Sequence, residues 1–359
     1  MNKNNNEYYI KKCFELAKKG EGYVSPNPLV GAVIVKNGKI ISEGWHEKYG
    51  FLHAEASAIY NAKEDLTGST LYCNLEPCCH TNKKTPPCVP LIIKSGIKRV
   101  VISNIDPNPE VNGKGIEQLR ATGIEVEVGV SEEEGKFLNK FFFKFIKEKI
   151  PYVTLKVAQS TDGKITEEIG KRTQITGQQS QIFVHEQRSK YDAVFVGAGT
   201  VNIDNPSLDV RFTKGRNPLR IIIDGKLNAN INSRIFEKEK ERTWVITSLL
   251  NSSDKKDNFK KLGIKLLELP SDKNGVIDLK TVLKKLGEEE ITSLFVEGGA
   301  QVFNQFYEEN LFDEIIILKA PSIFPKGLNA FASLDEKKLK LIEVEKLGVD
   351  EKIVYFNSK

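Results

Sequence analysis

The sequence predicts two α/β units in succession. Helical and strand-like runs alternate along its whole length, and a Phe-rich helical run ends on a proline stop at Lys149-Ile150-Pro151. No internal repeat or low-complexity linker relates the halves. At 359 residues the chain is also long for one domain and suits two of ordinary size, taken as residues 1–149 and 150–359.

Taken in order, Tyr9, Cys13, Leu16 and Ala17 recur at helical spacing and predict an opening amphipathic helix. Leu29 to Val35 and Lys39 to Trp45 read as strands joined by an Asn37-Gly38 hairpin turn. A helix follows near His53, then a strand from Ser69 to Leu75. Further units are a helix from Val89 to Ser95, a strand from Arg99 to Ser103, a helix from Gly115 to Ala121 and a strand from Glu125 to Val128. One Phe-rich helix is expected over 132–148. The second half opens on a strand from Tyr152 to Ala158. Its other strands are expected at Ala193–Val196, Leu219–Asp224, Thr243–Thr247, Leu294–Val296 and Glu314–Leu318.

Composition narrows the class. The formal net charge of +5 is spread along the chain without a Lys/Arg block, which argues against nucleic acid as partner. The alternating run from Glu237 to Arg242 reads as a solvated surface. No stretch approaches the roughly 18 apolar residues of a membrane span. The opening Met1-Asn2-Lys3-Asn4-Asn5-Asn6 lacks the apolar run of a signal peptide, so a cytoplasmic enzyme is expected. Four of the five cysteines lie between positions 73 and 88, which in such a chain points to metal ligands or catalytic groups.

That cluster carries the chemistry. His53-Ala54-Glu55 opens a helix, Glu76-Pro77-Cys78 follows a strand, and Pro86-Pro87-Cys88 precedes a helix. Zinc deaminases use one His and two Cys as ligands, with a Glu beside the His that moves protons. Three protein ligands leave a fourth tetrahedral position for water, whose pKa the metal lowers to about 7. Glu55 is placed to carry the proton from that water to the ring nitrogen and leaving amine. Nine residues separate Cys78 from Cys88, where the general signature has two. Two other readings therefore stay open: a structural Cys₃His site using Cys78, Cys79, His80 and Cys88, or buried thiols without metal. Cys13 and Cys73 read as core residues, His185 as a surface or packing residue, and His46 as a possible lining residue of a substrate pocket.

The run from Pro26 to Val35, His53-Ala54-Glu55, Glu76-Pro77-Cys78, Thr85-Pro86-Pro87-Cys88 and Asp106-Pro107-Asn108-Pro109 together resemble the bifunctional riboflavin-biosynthesis deaminase–reductase family. The long cysteine gap is that family's own variant. The resemblance implies a cytidine-deaminase-like three-layer N-terminal domain and a dihydrofolate-reductase-like α/β C-terminal domain. It implies Zn2+ on His53, Cys78 and Cys88 with Glu55 as proton shuttle, NADPH as second cofactor, phosphorylated pyrimidine substrates, and a homo-oligomer. The loop from His80 to Thr85 is one residue longer than usual and leaves Lys83 and Lys84 as alternative substrate contacts.

In the second half, Val296-Glu297-Gly298-Gly299-Ala300 is either a tight turn or a turn that presents backbone N–H groups to a phosphate. Gly197-Ala198-Gly199-Thr200 does not complete a G-x-G-x-x-G fingerprint, because its last position is Asn202. A different nucleotide-binding sheet is needed, and the resemblance supplies it. It implies cofactor contacts at Ala158, Gln174, Thr200, Asp204, Gly225, Gly299, Ala300, Gln301, Val302, Phe303, Asn304 and Gln305. The implied substrate contacts are Arg172, Arg188, Leu208, Arg211 and Glu297, where guanidinium groups suit a sugar phosphate. The family's Ser-x-Trp-Ile-Thr element is Arg172-Thr173-Gln174-Ile175-Thr176 here.

Overall fold

The computed structural model describes residues 3–81 and 85–358 and divides them into two compact units, residues 1–149 and 150–359. The first contains α1 (Lys3–Lys18), β1 (Gly31–Lys36), β2 (Lys39–Trp45), α2 (Ala54–Asn61), β3 (Thr70–Leu75), α3 (Cys88–Lys94), β4 (Arg99–Asn104), α4 (Lys114–Ala121), β5 (Glu125–Val128), α5 (Glu132–Leu138) and α6 (Lys140–Glu148). Its sheet runs β2-β1-β3-β4-β5, antiparallel on either side of β1 and parallel from β3 onward. Alternation along the strands separates two cores. Val33, Val35, Tyr72 and Val101 pack against Tyr9, Ile10, Cys13 and Phe14 of α1. Ala32, Ile34, Leu71, Cys73 and Ile102 pack on the opposite side against residues of α2, α3 and α4. The arrangement is three layers, and the Cys13 and Cys73 thiols are buried within it.

The Asn37-Gly38 turn is present, both residues having positive φ as a two-residue hairpin requires. Two expectations fail at one place. β1 begins at Gly31, not Leu29, and the 132–148 helix breaks at Asn139 into α5 and α6. The Asn139 side chain accepts from Leu29 N–H at 2.8 Å and donates to its carbonyl at 2.9 Å. Asn74 donates to the same carbonyl and accepts from Gly31 N–H. Leu29 thus bonds to side chains where a strand residue would bond to its neighbour strand.

The second unit contains β6 (Tyr152–Gln159), β7 (Lys164–Thr166), α7 (Gln178–Lys190), β8 (Ala193–Gly197), α8 (Ala198–Asp204), β9 (Leu219–Ile223), β10 (Thr243–Ser248), α9 (Ser253–Lys261), β11 (Lys265–Leu269), α10 (Leu279–Glu288), β12 (Ser293–Val296), α11 (Ala300–Glu308), β13 (Glu314–Lys319), β14 (Leu328–Asn329), β15 (Leu339–Leu347) and β16 (Asp350–Asn357). The large sheet runs β11-β10-β9-β8-β12-β6-β13-β16-β15, parallel as far as β13 and closed by an antiparallel hairpin. All six strands expected from the sequence are present. The β15–β16 hairpin, β11 and the small β7–β14 pair lie outside the strands that the sequence predicts. β15 is exposed along nearly its whole length, so it lacks the alternation that marks a half-buried strand. β6, β8 and β12 lie side by side with their carboxyl ends together, the place where open parallel sheets bind ligands.

Candidate active sites

The first site lies where β3, α2 and α3 meet. His53 is the N-cap of α2, Glu55 lies in its first turn, and Cys88 is the first residue of α3, where the helix dipole favours a thiolate. Cys78 follows β3 and is tied to α3 by main-chain bonds: its carbonyl accepts from Cys88 and Val89 N–H, and its Sγ accepts from Cys88 N–H at 3.3 Å. The ligand atoms of His53, Cys78 and Cys88 lie within 4.8 Å of one another, the one such cluster among the described residues.

The His53 Nδ1–Cys78 Sγ distance is 3.4 Å. Zinc bonds of about 2.0–2.3 Å at tetrahedral angles put ligand atoms about 3.5–4 Å apart, so this donor set fits the metal. With Nδ1 facing the sulfur, the proton belongs on Nε2, which lies 3.0 Å from Thr85 Oγ1; that bond fixes the tautomer. Cys79 and His80 stand outside the cluster. Cys79 Sγ donates to the Glu110 carbonyl, which removes the structural Cys₃His alternative.

A cavity of about 310 Å³ opens beside these ligands, lined among others by Asn27, His46, Glu55, His80, Asp106, Asn108 and Phe142. Glu55 is 3% exposed, so its carboxyl group is withdrawn from bulk water. His46 does line the pocket. Its Nδ1 donates to the Leu52 carbonyl and its Nε2 accepts from the Asn27 amide, while burial holds the imidazole below its ordinary range and neutral. His80 Nδ1 is buried at the same cavity and has no hydrogen-bond partner among the described residues. Burial, aided by Glu76 and Glu55, pushes the Asp106 carboxyl up to about 7. Asn82, Lys83 and Lys84 lie outside the described residues.

The second site lies over the carboxyl ends of β6, β8 and β12, in a cavity of about 270 Å³. Ala158, Gln174, Thr200, Asp204, Gly299 and Phe303 line it, with Arg172, Arg188, Leu208, Arg211 and Glu297. Gly225 lies elsewhere, past β9, where a Cβ would meet the Gly275 carbonyl oxygen at 1.7 Å; only glycine allows that approach. Along α11, Val302 is buried in the core. Asn304 bonds the Ala300 carbonyl and Ala332 N–H, and Gln305 bonds the Ile277 carbonyl and Glu309. Gln301 is exposed. The Val302, Asn304 and Gln305 side chains are engaged away from the cavity, and the first turn of α11 offers main-chain N–H groups, as at Ala300.

Glu297 is the centre of the second site. It sits just past β12, buried, with Arg188 Nε at 2.5 Å and Nη2 at 3.0 Å, and Lys156 Nζ at 2.9 Å. Burial alone would raise its pKa, but Arg188 and Lys156 hold it down at about 2. Arg188 also donates to the Asp209 carbonyl, so three of its nitrogens are engaged and it orders Glu297. Arg211 is paired with Asp209 and is the more exposed of these two guanidinium groups. Of the two readings for His185, surface or packing, the structure bears out packing: it is buried against Phe212, and its Nδ1 accepts from Arg211 N–H at 2.9 Å. Burial, with Arg188 and Arg211 nearby, pushes its pKa down to about 4. Leu208 holds a positive φ of 52°, a strained conformation for a branched side chain, and turns the main chain at the cavity wall. Lys156 and the roles of His185, Asn139 and Asn74 escaped sequence reasoning. Only the period-2 pattern of β6, which points Lys156 the same way as Ala158, hinted at any of them.

Fold and geometry define a zinc-dependent deaminase joined to a reductase on a nucleotide-binding sheet. Residues 3–104 match the cytidine and deoxycytidylate deaminase zinc-binding region, and residues 151–353 match the RibD C-terminal domain. Riboflavin biosynthesis protein RibD of Aquifex aeolicus is 44% identical over 348 residues, covering 95% of this chain and 96% of that protein. A diaminohydroxyphosphoribosylaminopyrimidine deaminase/5-amino-6-(5-phosphoribosylamino)uracil reductase of Thermotoga maritima superposes with a TM-score of 0.87 at 40% identity, covering 99% of each chain. RibD of Acinetobacter baumannii superposes at 0.90 with 33% identity over the full length of both. The chain belongs to the RibD family of bifunctional riboflavin-biosynthesis enzymes, with a cytidine-deaminase-like domain followed by a dihydrofolate-reductase-like one.

Proposed function

We propose that residues 1–149 deaminate 2,5-diamino-6-ribosylamino-4(3H)-pyrimidinone 5′-phosphate and that residues 150–359 then reduce its ribosyl group to a ribityl chain. The observation that carries this reading is the convergence of His53, Cys78 and Cys88 on one point, with Glu55 in the same cavity. Zinc, when bound by those three residues, supplies Lewis acidity that brings a water's pKa to about 7. Glu55 carries one proton of that water to the ring nitrogen and the second, from the hydroxyl added to the ring carbon, to the amine, which leaves as ammonia when its C–N bond breaks. Asn27, held by His46, offers its carbonyl oxygen to the pyrimidine edge.

In the second unit NADPH, when bound, supplies the hydride. The ionised Glu297 accepts hydrogen bonds from ribose hydroxyls, while Arg211 and Arg172 face the phosphate. The Gly298-Gly299 turn and the start of α11 suit an anionic cofactor group, since a Cβ at Gly299 would already lie 3.2 Å from Thr200 Oγ1. The reading also places the enzyme in the cytoplasm as a homo-oligomer. All five cysteines are free thiols, and among the described residues no helix is long and apolar enough to cross a membrane.

The test supplies the diaminopyrimidinone phosphate with NADPH and follows ammonia release and NADPH oxidation together. Glu55→Gln is expected to keep its zinc, lose about 10²-fold or more in ammonia release, and still oxidise NADPH with the deaminated substrate. Undiminished ammonia release would remove Glu55 as shuttle. Ammonia without NADPH oxidation in the unaltered protein would overturn the reductase assignment.

A further inference from the structure

Glu76 stands between β3 and the metal ligand Cys78, yet belongs neither to the ligand set nor to the proton shuttle. It is 3% exposed, and each carboxylate oxygen takes two main-chain N–H groups. Oε1 accepts from Gly115 at 3.0 Å and Ile116 at 3.2 Å; Oε2 accepts from Gly113 at 2.9 Å and Asp106 at 3.3 Å. All four donors lie on the segment leading from β4 into α4. That segment carries Asp106, Asn108 and Val111, which line the first cavity. It is folded on itself, with Asn108 N–H on Asp106 Oδ1 and Glu110 N–H on Asn108 Oδ1, so it is held as one piece.

The approach of α4 is close enough to demand a particular residue. A Cβ on Gly115 would sit 2.4 Å from the Pro77 carbonyl oxygen and 3.2 Å from Glu76 Oε1. Glycine at 115 is what lets the first turn of the helix reach the carboxylate. The chemistry at 76 is equally restrictive. A carboxylate accepts at both oxygens, whereas an amide would turn an NH₂ group toward one of the two donor pairs. The N-terminus of α4 also favours a negative charge at this point.

We propose that Glu76 is a positioning residue for the deaminase: by gathering the N–H groups of Asp106, Gly113, Gly115 and Ile116 it holds the 105–113 segment against the zinc cavity, and so sets substrate affinity and not metal content. This rests on the deaminase assignment of the first unit. It also gives the residue before Pro77 a function distinct from that of the cysteine after it.

The experiment compares full-length, zinc-loaded Glu76→Gln with the unaltered chain. Ammonia release is measured against substrate concentration, zinc by atomic absorption, and NADPH oxidation with the deaminated substrate serves as a control in the same molecule. The expected result is a KM raised about tenfold or more, the size of losing a charged buried hydrogen bond, with kcat little changed and zinc and NADPH oxidation intact. Loss of zinc and kcat together at unchanged KM would mean that Glu76 only stabilises the fold, and would overturn the proposal. If Glu76→Gln does not accumulate as folded protein, Gly115→Ala decides, because it keeps the carboxylate while pushing α4 off Pro77. A raised KM in that variant supports the role, and an unchanged KM overturns it. An unaltered chain that binds zinc but releases no ammonia would sink the deaminase assignment itself, and the proposal with it.

Discussion

The two sites are held together by opposite means. In the first, ligands at 53, 78 and 88 are oriented by neutral groups: Thr85 on His53, main-chain N–H on Cys78, and the Asn27–His46 pair at the cavity wall. In the second, the centre is a buried carboxylate clamped by two cations, with partners drawn from β6, α7 and the end of β12. The difference follows from the cofactors. A metal supplies its own charge and demands donors of fixed type, so the protein need only aim them. A reductase site must itself create the charged surface that orders sugar and phosphate, and it pairs those charges with one another because unpaired they would be costly to bury.

If that contrast is right, damage to one site leaves the other working. The largest effect is expected for Glu297→Gln, which leaves Arg188 and Lys156 without their shared anion. Breaking a buried ion pair from one side costs about 3–5 kcal/mol, so calorimetry should show the second unit melting earlier. NADPH oxidation should fail while ammonia release proceeds at the unaltered rate. Failure of both activities would break the contrast.

Asn139→Ala acts on the first unit by a smaller amount. It removes two hydrogen bonds to the Leu29 backbone, a loss of about 2 kcal/mol. Denaturant unfolding should show the first unit weakened and the second unchanged. Equal weakening of both would mean that the units do not unfold independently.

The most specific effect concerns pH. His185 has a pKa of about 4 in the folded chain, below its ordinary value near 6.5, so the unfolded chain takes up its proton first on acidification. The stability from this residue is complete above about 6.5 and is lost as pH falls toward 4. His185→Asn, whose side-chain oxygen can still accept from Arg211 N–H, should flatten that loss in melting curves taken between pH 7 and 4.5. A variant as acid-sensitive as the unaltered chain would remove His185 from the account.

How much could be read beforehand follows the same division. The convergence of His53, Cys78 and Cys88, with Glu55 in the same cavity, was legible because residue type and order point to one chemistry. The Asn37-Gly38 turn was legible because its conformation is local. The start of β1 and the break at Asn139 were not, since they arise from one side chain meeting a backbone 110 positions away. In the second unit Arg188 and Glu297 are 109 positions apart, and either alone reads as a surface charge. Resemblance placed them in one site, but not Lys156, the third member of the cluster. Where a site offers main-chain N–H groups, as at the first turn of α11, residue types record little at all.

The bifurcated hydrogen bond that Cys88 N–H donates to the carbonyl and sulfur of Cys78 has one more consequence. The excursion between the two cysteines begins and ends at a single knot, so its length is decoupled from the positions of the ligands. Closing a loop costs only slowly more as residues are added. Provided Thr85 keeps its bond to His53, such a segment is a natural place for a designer to splice in a new recognition loop without disturbing the metal beneath.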